Sequence, residues 1–152
     1  MILGPGAIAP EFELPDQFGA PQRLADRRGV RPVVLAFMPF AFSRTCTGEL
    51  RELDAHADLF AAAGADLLVA SVDAKYALRA WAEAETVAVT LVSDFWPHGA
   101  VAAAYGAFDE RAGHARRASF AIGADGVIRS SFVTGPGEAR PISAYREALA
   151  AL

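Results

Sequence analysis

One cysteine, Cys46, stands in the stretch Pro39-Phe40-Ala41-Phe42-Ser43-Arg44-Thr45-Cys46-Thr47-Gly48-Glu49-Leu50. Hydroxyl side chains flank it at Ser43, Thr45 and Thr47. A thiol attacks as the thiolate, so surroundings that favour the anion make a nucleophile of it. The alternative is an inert core thiol, because free cysteine is among the most buried residue types.

The elements around Cys46 bear on that choice. Before it runs the apolar segment Val33-Val34-Leu35-Ala36-Phe37-Met38, which reads as a buried strand. After it, apolar residues recur at Leu50, Leu53, Ala57 and Phe60, while Arg51, Glu52, Asp54 and Asp58 take the other face. Gly64 closes the pattern. One helix over residues 45–63 is therefore expected. Ser43, Thr45 and Thr47 all compete to cap it. With either of the first two, Cys46 falls in the first turn, where unpaired N–H groups and the helix dipole favour an anion. Because Cys46 also heads the apolar stripe, its thiol is expected to be only partly open to solvent.

The pattern Pro39-x-x-x-Ser43-x-x-Cys46, after a strand and before a helix, resembles the active-site motif of the peroxiredoxins, which are thiol peroxidases on an elaborated thioredoxin fold. Ala9-Pro10-Glu11-Phe12, Leu91-Val92-Ser93-Asp94, Tyr105-Gly106 and Arg117-Ala118-Ser119-Phe120 resemble further segments of that family, in order. Ser93 to Val101 is most similar to the one-cysteine alkyl hydroperoxide reductase E branch. The resemblance implies that the Cys46 thiolate attacks a hydroperoxide and becomes a sulfenic acid. It implies that Pro39 shields the pocket, that Ser43 hydrogen-bonds around the sulfur and the peroxide, and that Arg117 supplies fixed positive charge. Preorganised donors of that kind stabilise an anionic transition state more than the ground state.

Each residue also has a plainer use. Pro39 would serve to end the strand and Ser43 to cap the helix. Arg116 and Arg117 are neighbours, and spacing alone does not say which faces inward. Glu49 suits either a bond to Arg117 or the surface. Phe95 and Trp96, beside Pro97, suit either a pocket wall or the core. With the resemblance in view, Glu49, Trp96 and Phe42 are the candidate pocket residues, and the apolar Phe40, Phe42 and Trp96 point toward organic peroxides.

Composition narrows the rest. The chain has 152 residues, of which 53% are hydrophobic and 21% charged, as expected for one globular domain over residues 1–152. A net charge of −4 and the lack of a basic cluster argue against nucleic acid as a partner. Neither a secretory signal nor a membrane-length apolar run is visible, and a reducing, cytoplasmic setting is expected. His56, His98 and His114 have no metal-ligand spacing with Cys46, so neither metal nor cofactor is expected.

Along the rest of the chain, short strands around Phe12–Leu14 and Gln22–Leu24 suggest an N-terminal hairpin. Asp66 to Val72 reads as a strand parallel to the first, and Asp73 as the cap of a helix from Ala74 to Glu85. Thr90 to Ser93 is a further strand, Gly99 to Tyr105 a short helix, and Phe108 to His114 a loop. Ala118–Ile122 and Val127–Val133 form a hairpin, and Ile142 to Leu152 a last helix. The sum is an α/β, thioredoxin-like fold: a central mixed sheet, helices on both faces and the N-terminal β-hairpin.

A lone cysteine permits no internal disulfide. A sulfenic acid on Cys46 must then be reduced by an external thiol, either a low-molecular-weight thiol or a glutaredoxin- or thioredoxin-like protein. The family resemblance also implies a homodimer. Two rival readings use the same thiol: a redox sensor passing its oxidised state to a partner, and a structural domain with a buried cysteine. A thioredoxin-type oxidoreductase is disfavoured, because Cys46 lacks the second cysteine of a Cys-x-x-Cys pair.

Overall fold

The apolar run before Cys46 becomes β3 (Val33–Phe37), and all five of its residues are buried. A strand so covered needs packing on both faces, and the alternation of its side chains supplies it. Val33, Leu35 and Phe37 enter one core, while Val34, Ala36 and the following Met38 enter the other. The computed structural model describes residues 1–152, and β3 is the middle strand of its main sheet. The order is β5-β4-β3-β8-β9, with β4 (Asp66–Ser71), β5 (Thr90–Ser93), β8 (Arg117–Ile122) and β9 (Ile128–Thr134). β4 and β5 run parallel to β3, whereas β8 and β9 are antiparallel additions. The sheet is mixed, as expected.

One face carries α1 (Arg44–Ala55), α2 (Ala57–Ala62), α3 (Lys75–Glu85) and α5 (Ile142–Ala150), through Leu50, Leu53, Phe60, Leu78, Trp81 and Tyr145. The other face is covered by α4 (Ala100–Ala104) and the N-terminal hairpin of β1 (Glu13–Pro15) and β2 (Pro21–Arg23). None of the helices is long and apolar enough to cross a membrane.

Three local expectations are corrected. The single helix over 45–63 is two, broken at His56, whose backbone sits at φ −111 and ψ 23. The His56 N–H is shared between the carbonyls of Glu52 and Leu53, and its ring Nδ1 lies 2.9 Å from the Glu52 carbonyl oxygen. That side-chain contact competes with the helical ladder. The break turns Ala57 out to solvent, although it belonged to the apolar stripe. Second, Phe108 to His114 is not simply a loop: β6 (Phe108–Asp109) pairs with β7 (His114–Ala115). Third, Asp73 does not cap α3, which has no side-chain cap; it turns back to the strand ends instead.

Candidate active site

Cys46 is the third residue of α1, with Ser43 at the N-cap position. The Ser43 hydroxyl does not cap the helix; it donates to the Phe40 carbonyl at 3.0 Å. The first turn therefore has no side-chain cap, and its N–H groups stay available to an anion. The oxygen of Ser43 keeps its lone pairs free to accept. Cys46 itself is 0% exposed, which corrects the expectation of a partly open thiol. It is packed among Val34, Ala36, Met38 and Leu50, and the buried Pro39 follows directly on Met38.

The loop between β3 and α1 is fastened at its root. Met38 N–H donates to the Ala70 carbonyl at 2.8 Å. Asp73 accepts from the Ala41 N–H and from the Ser71 hydroxyl, both at 2.7 Å. Phe42 adopts φ 67, a left-handed conformation that is strained for a bulky residue. On the helix side, Trp81 Nε1 donates to the Thr47 hydroxyl at 3.2 Å and ties α3 to the turn that holds the thiol.

β8 brings the charge. Its register with β3 runs from Val33↔Ile122 to Ala36↔Ser119. Continued by two residues, it sets Arg117 opposite Met38, next to Pro39. Arg117 is buried and Arg116 is exposed. Arg117 Nη1 donates to Glu49 Oε1 at 2.5 Å, and Arg117 Nε donates to the Pro136 carbonyl at 2.8 Å. Glu49 is thus turned inward, three residues after the thiol and nearly one turn along α1.

A second arginine completes the cluster. Arg140, 3% exposed, precedes α5 and grips Glu49 with three donors. Its backbone N–H and Nε reach Oε2 at 2.8 Å each, and Nη2 reaches Oε1 at 3.0 Å. Nη1 donates to the Ala118 carbonyl and to Ser119 Oγ, both at 3.0 Å. Burial alone would raise the Glu49 carboxyl, but the hydrogen bonds and charge of Arg140, with the charge of Arg117, hold it below the ordinary value of 4.5. Burial opposes the charge on Arg140; Tyr145, Glu49 and Cys46 together outweigh this and raise it. The thiol therefore lies within electrostatic reach of the cluster.

Next to Arg117 and Pro39 lies a cavity of about 100 Å³, whose wall includes Asp109, His114, Arg116 and Pro136. A water takes about 30 Å³ of liquid, so the cavity admits a group of a few heavy atoms. Neither Phe42 nor Trp96 lines it, so the expectation that they wall a pocket is not met at this cavity. Trp96 is 80% exposed and Phe42 56% exposed, and the ring of Phe42 faces that of Trp81 at 6.4 Å. Their loops leave the strand ends and run over the surface.

Residues 5–131 of the chain match the model of the AhpC/TSA family. The chain belongs to the AhpC/TSA family. Its sequence is 41% identical over 151 residues to alkyl hydroperoxide reductase E of Mycobacterium tuberculosis (strain H37Rv), covering 99% of both chains. It is 36% identical over 136 residues to peroxiredoxin Bcp of Escherichia coli K12, covering 86% of this chain and 85% of that one. Among solved structures it is similar to peroxidoxin BcpB of Mycobacterium tuberculosis, with a TM-score of 0.84, 29% identity and coverage of 98% and 96%. AhpC of Enterococcus faecalis gives a TM-score of 0.88 at 26% identity, with coverage of 99% and 92%. This AhpC/TSA-family chain is a thiol-dependent peroxidase of the peroxiredoxin type, on a thioredoxin-like fold.

A surface groove of about 590 Å³ lies elsewhere on this family member. Its wall includes Arg27, Asp54, Phe60 and Asp66, at the far end of α1 from the thiol. Arg27 there is engaged by Asp66, Gln22 and the Arg23 carbonyl. Sequence reading missed Arg140, because its partner Glu49 is 91 positions away.

Proposed function

We propose that the chain reduces hydrogen peroxide and organic hydroperoxides by a one-cysteine mechanism, with Cys46 as the peroxidatic residue. The observation that carries this reading is the uncapped first turn of α1 around Cys46, backed by a buried cluster of two guanidiniums and one carboxylate. That cluster holds one positive charge in excess. A thiolate on Cys46 neutralises it, and a neutral thiol does not.

In this mechanism the thiolate sulfur attacks the terminal oxygen of the hydroperoxide. An S–O bond forms, the O–O bond breaks, and the departing alkoxide takes up a proton to leave as an alcohol, or as water from hydrogen peroxide. Ser43 accepts a hydrogen bond from the O–H of the incoming peroxide, whose proton stays on the sulfenic acid, and the alkoxide takes its proton from water. Arg117, fixed by Glu49 and Pro136, stabilises the charge that spreads onto the leaving oxygen. Pro39 keeps water off the sulfur. The Cys46 sulfenic acid then reacts with an external thiol, releasing water and forming a mixed disulfide, and a second thiol restores the thiolate. The lone cysteine supports that external route. A cytoplasmic setting would supply the thiol.

A homodimer is also part of this reading. Phe40 and Phe42 follow β3, Tyr76 lies in the first turn of α3 after β4, and Phe95 and Trp96 follow β5, so all five come just after the ends of the three parallel strands. These five aromatics are 43% to 80% exposed. At roughly 200 Å² each they present about 600 Å² of largely apolar surface, most of the ~800 Å² that one partner contributes to a stable interface.

Rapid mixing of reduced protein with one equivalent of an organic hydroperoxide tests the reading. The expected result is a fast phase ending in one added oxygen on Cys46, absent in Cys46→Ser, with steady turnover once thiol is supplied. Reaction no faster than that of a free thiol would sink it. Fast oxidation without thiol-dependent turnover would favour the sensor reading.

A further inference from the structure

The catalytic cluster does not end at Arg140. Ser119 Oγ, which accepts from Arg140 Nη1, also lies 2.9 Å from the hydroxyl of Tyr145. Tyr145 is on α5, 2% exposed, and its ring is packed edge-on against Phe60 and Phe132. Its hydroxyl is thus a buried polar group that the reaction as drawn does not use. We propose that Tyr145 is a positioning residue for the peroxidase reaction: its hydroxyl orients Ser119, which fixes Arg140, which holds Glu49 and so Arg117 against the thiol.

The argument is one of donors and acceptors. A serine oxygen carries one proton and two lone pairs. To accept from Arg140, it must keep a lone pair aimed at Nη1 and its proton elsewhere. The Tyr145 oxygen either takes that proton or donates its own, and both arrangements leave a lone pair for Arg140. Without the phenol oxygen, the serine proton has no fixed acceptor and can turn toward the guanidinium, displacing it. Arg140 supplies three of the donors on Glu49, so a shift in Arg140 moves the carboxylate that sets Arg117. α5 thereby reaches the thiol through a chain of polar contacts, Tyr145–Ser119–Arg140–Glu49–Arg117, with every member buried.

This inference rests on the reading of Arg117 as the group facing the peroxide, so the test includes that residue. The quantity measured is the second-order rate of Cys46 oxidation by an organic hydroperoxide, with the thermal midpoint of each variant alongside. Tyr145→Phe keeps the ring and removes only the hydroxyl; it is expected to slow oxidation about 5-fold, the rate equivalent of one hydrogen bond. Ser119→Ala should slow it by a similar factor. The double variant should be no slower than the slower single, since both cut one path. Where Tyr145→Phe fails to fold, Ser119→Ala carries the test against Arg140→Lys in the same way. If Tyr145→Phe keeps the full rate while Tyr145→Leu loses it, the residue only packs and the relay is wrong. Independent, multiplying effects of the two single variants would overturn it as well. If Arg117→Ala is itself as fast as the unaltered protein, the reading of the site fails first, and the relay with it.

Discussion

Removing the Arg117 guanidinium should separate it from its neighbour. Arg117 is buried and held by Glu49 and Pro136, while Arg116 is exposed. We expect Arg117→Ala to slow Cys46 oxidation by about 100-fold or more, the usual cost of losing a preorganised donor at a developing anion. Arg116→Ala should change the rate by less than about 3-fold, and equal effects in rapid-mixing experiments would refute the assignment. Glu49 gives a second prediction at this scale. Neutralising one member of a buried ionic group costs about 3–5 kcal/mol, because the remaining charges stay desolvated. Glu49→Gln should therefore lower the unfolding free energy by a few kcal/mol in denaturant titrations, a quantity on that order. The pH dependence has a definite sign. The folded carboxyl is held below 4.5, so its stabilisation is complete above that pH and disappears as pH falls through the depressed folded value. The stability gap between the unaltered protein and Glu49→Gln should be constant at neutral pH and close below about 4.5. A gap that persists into acid would mean that the carboxylate is not what stabilises the cluster.

At the scale of elements, the sequence was informative where a pattern is local. The apolar run of β3, the stripe on α1 and the position of Cys46 in the first turn follow from period and capping residues. Arg140 had no such signal: a lone arginine after Gly135-Pro136-Gly137 looks like any surface charge, and only folding brings it to Glu49. Asp73 misled for a related reason. An acidic residue ahead of a helical stretch reads as a cap, yet its carboxylate is engaged by Ala41 and Ser71, and that contact exists only because β3 and β4 are parallel neighbours. The β6–β7 pairing was invisible because two-residue strands carry no periodicity. The break at His56 was invisible as well, because a hydrophobic stripe does not report where a helix is interrupted. The Asp73 contact carries its own prediction. It holds the loop that carries Pro39 to Ser43, and Phe42 within that loop is strained. Asp73→Ala should cost about 1–3 kcal/mol through the unpaired Ala41 N–H and Ser71 hydroxyl. It should also slow Cys46 oxidation more than an equally destabilising substitution at the distant Arg27–Asp66 pair. Matched rates in two such variants would show that the tether stabilises the fold without shaping the site.

At the scale of the whole molecule, the sheet explains why a buried thiol and an exposed aromatic rim occur together. Parallel strands β3, β4 and β5 end at one edge, and the stretches just after them carry both the Cys46 segment and the rim. Phe42 belongs to both, being exposed and only four residues before Cys46. A rim of about 600 Å² is at the upper end of what soluble monomers leave uncovered, and the homodimer proposed above would cover it. In that proposal a second copy of the chain, related by a twofold axis, packs its own rim against this one. Covering Phe42 would also restrain the strained loop above the thiol, so assembly and reactivity should be linked. We expect sedimentation equilibrium to give a dimer for the unaltered chain and a monomer for Tyr76→Arg, which sets a charge in the rim away from the thiol. The monomeric variant should keep its fold by circular dichroism but oxidise more slowly, because the loop is less restrained. A variant that is monomeric yet fully reactive would uncouple the rim from the site. An unaltered chain that is monomeric at micromolar concentration would remove the interface altogether.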